Sequence, residues 1–371
     1  MSPKSSRPRP VLMVPIRRCG SHALRLRLNF SSDFYSPYPL HIVDFLPLVP
    51  LYGDLADDDA YFRMIVDVVS LQAINMVKWQ GVNFEPADIF DAIAHERRNV
   101  HRIVWELLFQ AGMMNDARVV MDKSLDSVYA AGELVELFDD FLFLNVVRDP
   151  RAQVNSMTRA IIHDFDVLPN AQAWARAHNQ ARKIAQTHPQ KVLTIRYEDF
   201  VDHQEPVLRK VCDFFGLDFL SEMLDVSLSR EAKKIAGMSA LWQTNASAPV
   251  AANVDKFKKE LSMEEIEVIE SVAGELMDYY GYERITRGTV SITAERQRTA
   301  QDRSAAEKLA AWERLRAADR RDWEFRRLRN DFLAMTRHRL ERDRDVLPVH
   351  DSAGGRQRKA TSETSAGTAP E

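Results

Sequence analysis

The chain has 371 residues, 45% of them hydrophobic and 28% charged, with a formal net charge of −4. That balance describes a globular protein and excludes recruitment to nucleic acid or an anionic membrane by bulk charge. Two cysteines, Cys19 and Cys212, exclude a disulfide framework, and no apolar run approaches the ~20 residues of a membrane-spanning helix.

Residues 1–10, MSPKSSRPRP, read as a disordered basic lead. No apolar core follows it, so the expectation is no secretion signal and a cytoplasmic setting. A short run rich in Val, Leu and Ile at 11–16 suits a buried parallel strand. It ends in Arg17, Arg18, Cys19, Gly20, Ser21 and His22, and a helical pattern runs from Gly20 to Leu28. The segment 34–56 carries four prolines and many aromatics, which rules out a regular helix and predicts a long irregular stretch.

Residues 60–77 and 87–111 read as helices, 118–124 as a strand with a polar end, 125–138 as a helix and 141–147 as a second buried strand. Asp149 is a good N-cap and Pro150 suits the first helical position, so a helix opens there. A helix at 171–187, a strand at 191–197 and helices near 204–215 and 262–280 complete the body. From about 284 to 348 the chain becomes mixed-charge and arginine-rich. Leu309, Trp312 and Leu315, then Phe325, Leu328, Phe332 and Met335, fall at helical spacing. This predicts one or two amphipathic helices covering the body or a second subunit. The tail 349–371, rich in Ser, Thr, Gly and Ala, reads as disordered.

Strands alternating with helices predict an α/β fold, a three-layer parallel sheet over 11–283. Ligands of such sheets bind beyond the carboxyl ends of the strands. The polar clusters fall at those ends: Arg17 to His22, Asp122 to Ser124, Arg148 with Asp149, and Arg196 to Asp199. In the first, Gly20 permits a tight turn, and the N–H groups of Ser21, His22 and Ala23 face an anion with the helix dipole behind them. Arg18 adds a full charge. The loop alone serves equally as an ordinary strand-to-helix turn. Arg148 ends a buried strand, and Ser156 follows eight residues on, a pairing able to hold a phosphate. Lys123 could reach a transferring group as a point charge. Glu198 and Asp199 read as orienting or capping groups.

Taken in order, these segments resemble the PAPS-dependent sulfotransferases, which transfer a sulfuryl group from 3′-phosphoadenosine 5′-phosphosulfate. The resemblance runs from Val11 to Tyr282. Arg18-Cys19-Gly20-Ser21-His22-Ala23-Leu24 is similar to the family's P-loop-like 5′-phosphosulfate loop, and Arg148 with Ser156 to its 3′-phosphate motif. MDKSLDSVYAAGELVELFDDFLFLNVVRDPRA, IRYEDFVDHQEPVLRKVCDFFGL and NVDKFKKELS resemble its later segments. The resemblance implies transfer to an acceptor hydroxyl without metal, releasing 3′,5′-ADP. It implies that Arg18, Cys19, Gly20, Ser21, His22 and Ala23 hold the phosphosulfate. Arg148, Ser156 and Lys256 would hold the 3′-phosphate, Tyr197 would contact the nucleotide, and Lys123 would steady the sulfuryl group. Departures from the family pattern stand at Cys19, His22, Leu125, Asp255 and Phe257.

The family's usual glutamate base has no counterpart in SPYPLHIVDF. His41 is the first candidate to replace it, with Asp44, His22 and Asp122 as alternatives. The expected acceptor is a carbohydrate or glycolipid hydroxyl first and a secondary-metabolite hydroxyl second, selected by 34–56 and 60–111. Two other readings stand beside this one. A P-loop kinase would share the fold, but Gly-Lys-Ser/Thr is missing. An inactive core serving as a binding or scaffold protein would act through the arginine-rich extension.

Overall fold

The structure, a computed structural model, describes residues 7–247 and 251–346. Five strands form one parallel sheet in the order β2-β3-β1-β4-β5: β1 (Arg9–Val14), β2 (Phe34–Tyr35), β3 (Val119–Asp122), β4 (Leu142–Val147) and β5 (Val192–Arg196). Side chains alternate across a strand, and this alternation divides the core in two. Leu12 and Val14 of β1, Val120 of β3 and Phe143 and Val147 of β4 face one buried cluster. Val11 and Met13, Val119 and Met121, and Leu144 and Val146 face the other. Helices cover both faces, so the three-layer expectation holds.

In chain order the helices are α1 (Ser21–Leu28), α2 (Asp58–Ala73), α3 (Pro86–Ile93), α4 (Val100–Met114), α5 (Ala131–Leu137), α6 (Pro150–Met157), α7 (Val167–Thr187), α8 (Tyr197–Asp202), α9 (Gln204–Phe215), α10 (Arg230–Ala236), α11 (Phe257–Glu260), α12 (Met263–Tyr280), α13 (Ala294–Ala318) and α14 (Arg320–Val346). Local chemistry sets several boundaries. The Asp149 side chain accepts the Arg151 N–H, with Pro150 at the first position of α6. Ser262 and Glu265 form a capping box at the start of α12.

Other expectations shift. β1 begins at Arg9, inside the supposed lead, and stops at Val14; Pro15 follows in cis and has no N–H for the ladder. Residues 1–6 and the tail expected at 349–371 lie outside the described residues. The irregular 34–56 segment holds the short β2 and two 3-10 turns, Ile42–Asp44 and Leu46–Tyr52. The helix expected at 87–111 is two helices, because Asn99 turns its side chain onto the Arg102 N–H at 2.7 Å and starts α4 afresh. The helix expected at 125–138 begins as a 3-10 helix, Leu125–Ala130.

The extension forms two helices, α13 against α7 and α14 against α2 and the Leu46–Tyr52 turn. The expected apolar stripe is only partly an inner face: Trp312, Leu315, Phe325 and Phe332 are half-buried, and Phe332 packs on the main core cluster. Leu309 and Met335 are 73% and 71% exposed, and Leu328 is exposed as well. Leu340 is buried in that cluster, and other inward positions are polar or small. Ser304 receives the Phe165 N–H at 2.9 Å, Asp322 accepts from Ser239 at 2.7 Å, and Arg303 and Arg339 pair with Asp166 and Asp67. No helix among the described residues is long and apolar enough to cross a membrane.

Candidate active site

The carboxyl ends of the strands open into a cleft of about 810 Å³. Of the residues singled out from sequence, it brings together Arg18, Gly20, Ser21, His22, Ala23, His41, Lys123, Arg148, Ser156, Tyr197 and Lys256. Asp44 is the one carboxylate among its described lining residues.

The loop after β1 is built on two left-handed residues, Arg18 at φ 74° and Gly20 at φ 87°. Glycine is required at the second. A Cβ there would lie 2.4 Å from two ring carbons of Tyr197, so the ring packs directly on the turn. No side chain caps α1, which leaves its first N–H groups directed at the cleft. The Arg148 guanidinium lies 4.6 Å over the opposite reach of Tyr197. It donates to the Arg18 carbonyl at 2.9 Å and the Asn253 carbonyl at 3.0 Å, and its buried Nε has no protein partner. Arg18 Nε in turn donates to Ser156 Oγ at 3.1 Å, from 138 residues away in the chain. One cationic wall is thus assembled from β1–α1, β4–α6 and β5–α8.

Behind it lies a second set of contacts that touches nothing in the cleft. Glu198 accepts the Asp149 N–H at 3.0 Å and the Tyr282 hydroxyl at 2.7 Å. Arg151 joins Asp149 at 2.6 Å to Glu270 at 2.7 Å. The orienting role expected of Glu198 is of this kind, fixing the turn that carries Arg148.

Lys123 is 2% exposed, and burial first, then the nearby Arg25 charge, brings its ammonium down to about 7. His22 and His41 are both held well below the usual histidine range, by burial and then by neighbouring cations, Lys123 for His22 and Arg17 for His41. Both are therefore neutral imidazoles at neutral pH, able to take a proton. His22 stacks on Tyr38 at 5.7 Å, and Tyr38 meets His41 edge-on at 6.0 Å.

Some expected residues stand elsewhere or act differently. The Cys19 side chain is fully buried in the lower core cluster, so only its backbone belongs to the loop surface. Asp122 stands outside the cleft lining, where its carboxylate accepts the Ser124 N–H at 2.8 Å and closes the turn after β3. Arg17 turns to Asp126 at 2.6 Å. Lys256 reaches the cleft but pairs with Glu260 at 3.2 Å. Of the region 60–111 expected to select the acceptor, only Ile74, Asn75 and Met76 line the cleft. Tyr38, Trp242, Asn253, Trp312, Phe325 and Arg329 line it instead. Tyr38, inside an aromatic stretch, and Trp312 and Phe325, within the apolar spacing of the extension, carried a signal in the sequence, whereas Trp242, Asn253 and Arg329 carried none.

A family model described as "Sulfotransferase family" matches residues 10–222. Among solved structures, the sulfotransferase domain from the Synechococcus PCC 7002 olefin synthase is 20% identical, covering 74% of this chain and 98% of that one, with a TM-score of 0.48. The sulfotransferase domain from the curacin biosynthetic pathway is 19% identical over 75% of this chain and 99% of that one, with a TM-score of 0.49. No curated protein matches the chain.

Proposed function

The chain belongs to the sulfotransferase family, and from that premise we propose that it moves a sulfuryl group from PAPS to an acceptor hydroxyl and releases 3′,5′-ADP. The observation that carries the reading is the convergence of Arg18, Arg148 and Ser156 at the ends of β1 and β4. The donor fits this wall. The backbone of 18–23 faces the 5′-phosphosulfate, with Arg18 supplying charge. Arg148, Ser156 and Lys256 face the 3′-phosphate, and Tyr197 supports both. The buried Nε of Arg148 has a donor proton to give.

In the reaction the acceptor oxygen attacks sulfur in line with the bond to the 5′-phosphate oxygen. The new O–S bond forms as the old one breaks, and the electron pair leaves on the nucleotide. The acceptor proton passes to the neutral imidazole of His41. Lys123 meets the charge that develops on the leaving oxygen. The sulfuryl group carries less charge than a γ-phosphoryl group, so cations and backbone N–H groups suffice and the reading names no metal. A carbohydrate or glycolipid hydroxyl and a secondary-metabolite hydroxyl are both served by this chemistry, in a cytoplasmic enzyme.

Calorimetric titration with 3′,5′-ADP and with 5′-ADP tests the proposal. The expected result is micromolar binding of 3′,5′-ADP, about a hundredfold preference over 5′-ADP, and loss of binding in Arg148→Ala. Equal binding of the two nucleotides would favour a kinase-like site, and binding of neither would overturn the assignment.

A further inference from the structure

The donor accounts for one wall of the cleft. The rest of the lining comes from segments that have no part in holding it: the loop around Tyr38 and His41, Trp242, and the helix pair α13–α14. From the pair, Trp312, Phe325 and Leu333 present apolar surface to the cleft. Tyr38 and Trp242 line the same cleft, their rings meeting edge-on at 5.4 Å, with Arg326 of α14 6.0 Å over the Trp242 ring.

Three arginines on this side are already matched, which leaves Lys308 of α13 as its free charge among the described lining residues. Arg17 pairs with Asp126 at 2.6 Å, Arg326 with Asp322 at 2.9 Å and Arg329 with Asp44 at 3.1 Å. Arg329 also donates to the carbonyls of Leu40 at 3.0 Å and His41 at 2.9 Å. Asn75 spends its amide on the Pro39 carbonyl. Beside Lys308 and Asn330, what the wall offers a ligand is therefore ring and aliphatic surface, together with the two histidines. A sugar ring would need polar partners for each of its hydroxyls. A flat apolar body needs rings to lie against and few polar groups.

We propose that α13–α14 is part of the acceptor wall of this active site, and that it selects an alcohol or phenol whose body is apolar and packs against Trp312, Phe325, Tyr38 and Trp242. The inference rests on the donor reading above, since it takes as acceptor space what the nucleotide leaves. It adds to the expected selecting segment 34–56, and sets in place of most of 60–111, a segment beyond the family-matched region at 10–222.

The test is calorimetry on the full chain saturated with 3′,5′-ADP, using 2-naphthol as the apolar probe and methyl α-glucoside as the polar one. 2-Naphthol is expected to bind and the glucoside not. Trp312→Ala and Phe325→Ala are each expected to weaken 2-naphthol about tenfold or more, with 3′,5′-ADP affinity unchanged within about twofold, which also shows that the variants are folded. Three results would overturn the proposal: a glucoside that binds where 2-naphthol does not, no heat from 2-naphthol on the nucleotide-bound protein, or wild-type binding in both variants. Failure of 3′,5′-ADP to bind is seen separately in the first titration and overturns the donor reading, and this inference with it.

Discussion

On the donor wall Gly20, Tyr197 and Arg148 form one stack, each held by the next, all within a few residues of a strand end. On the acceptor wall Tyr38, Trp242 and Phe325 come from three segments that share no element, and a single arginine of α14 bonds the loop that carries His41. The first is built by the sheet and cannot be altered at one point without disturbing the others. The second is laid against the sheet by side-chain contacts. The difference separates chemistry that demands fixed geometry from selection that tolerates change.

The largest effect should come from breaking the stack. Gly20→Ala forces a Cβ into the left-handed region and into the Tyr197 ring. The expected loss is about 2 kcal/mol of stability and about a hundredfold or more in 3′,5′-ADP affinity, read by denaturant unfolding and calorimetry. A variant that binds the nucleotide like wild type would show that the stack is not what shapes the loop.

A smaller effect is expected across the cleft. Arg329 is a positioning residue, acting through the backbone of His41, which sits at φ 54°. Arg329→Ala should lower kcat about tenfold, with KM for the acceptor moved less than about threefold, and Arg329→Lys should recover part of it. The nucleotide affinity should not change. A change in nucleotide affinity instead of kcat would dissolve the distinction between the walls.

The smallest concerns pH, where Lys123 stands between the two. Its folded pKa of about 7 lies below the ordinary lysine value of 10.5. Across that window the unfolded chain holds a proton the folded chain lacks, so the stability of the ligand-free protein rises with pH. An anion beside Lys123 favours its charged form. Affinity for 3′,5′-ADP should therefore fall above pH 7, by up to about tenfold per pH unit, and Lys123→Arg should flatten the slope. A slope that survives the substitution would assign the proton elsewhere.

The donor wall was largely legible from the amino acids. Gly20 after a buried strand, Asp149-Pro150 at a helix start, and Arg148 eight residues before Ser156 are local signals, and local signals are what a chain records plainly. Even there, the turn of Arg17 toward Asp126 and of the Cys19 side chain into the core had no local mark. The acceptor wall was not legible, because it depends on partners far apart in the chain. Arg329 meets His41 across 288 residues. The apolar spacing of Leu309, Leu328 and Met335 suggested a buried stripe, yet α13 and α14 dock through Ser304, Asp322 and Arg339. Periodicity reports which side chains avoid water, and it is silent where burial is achieved by paired polar groups.

The helix pair grips the body through Leu340 in the main core cluster and through Arg303 on Asp166, Asp322 on Ser239, Arg329 on the 40–44 loop and Arg339 on Asp67, and none of these groups belongs to the donor wall. A segment attached in this way behaves as a cassette. Grafting the stretch after Tyr282 between homologous chains, together with its few docking partners, would transplant acceptor preference while the sulfuryl-handling machinery is inherited intact.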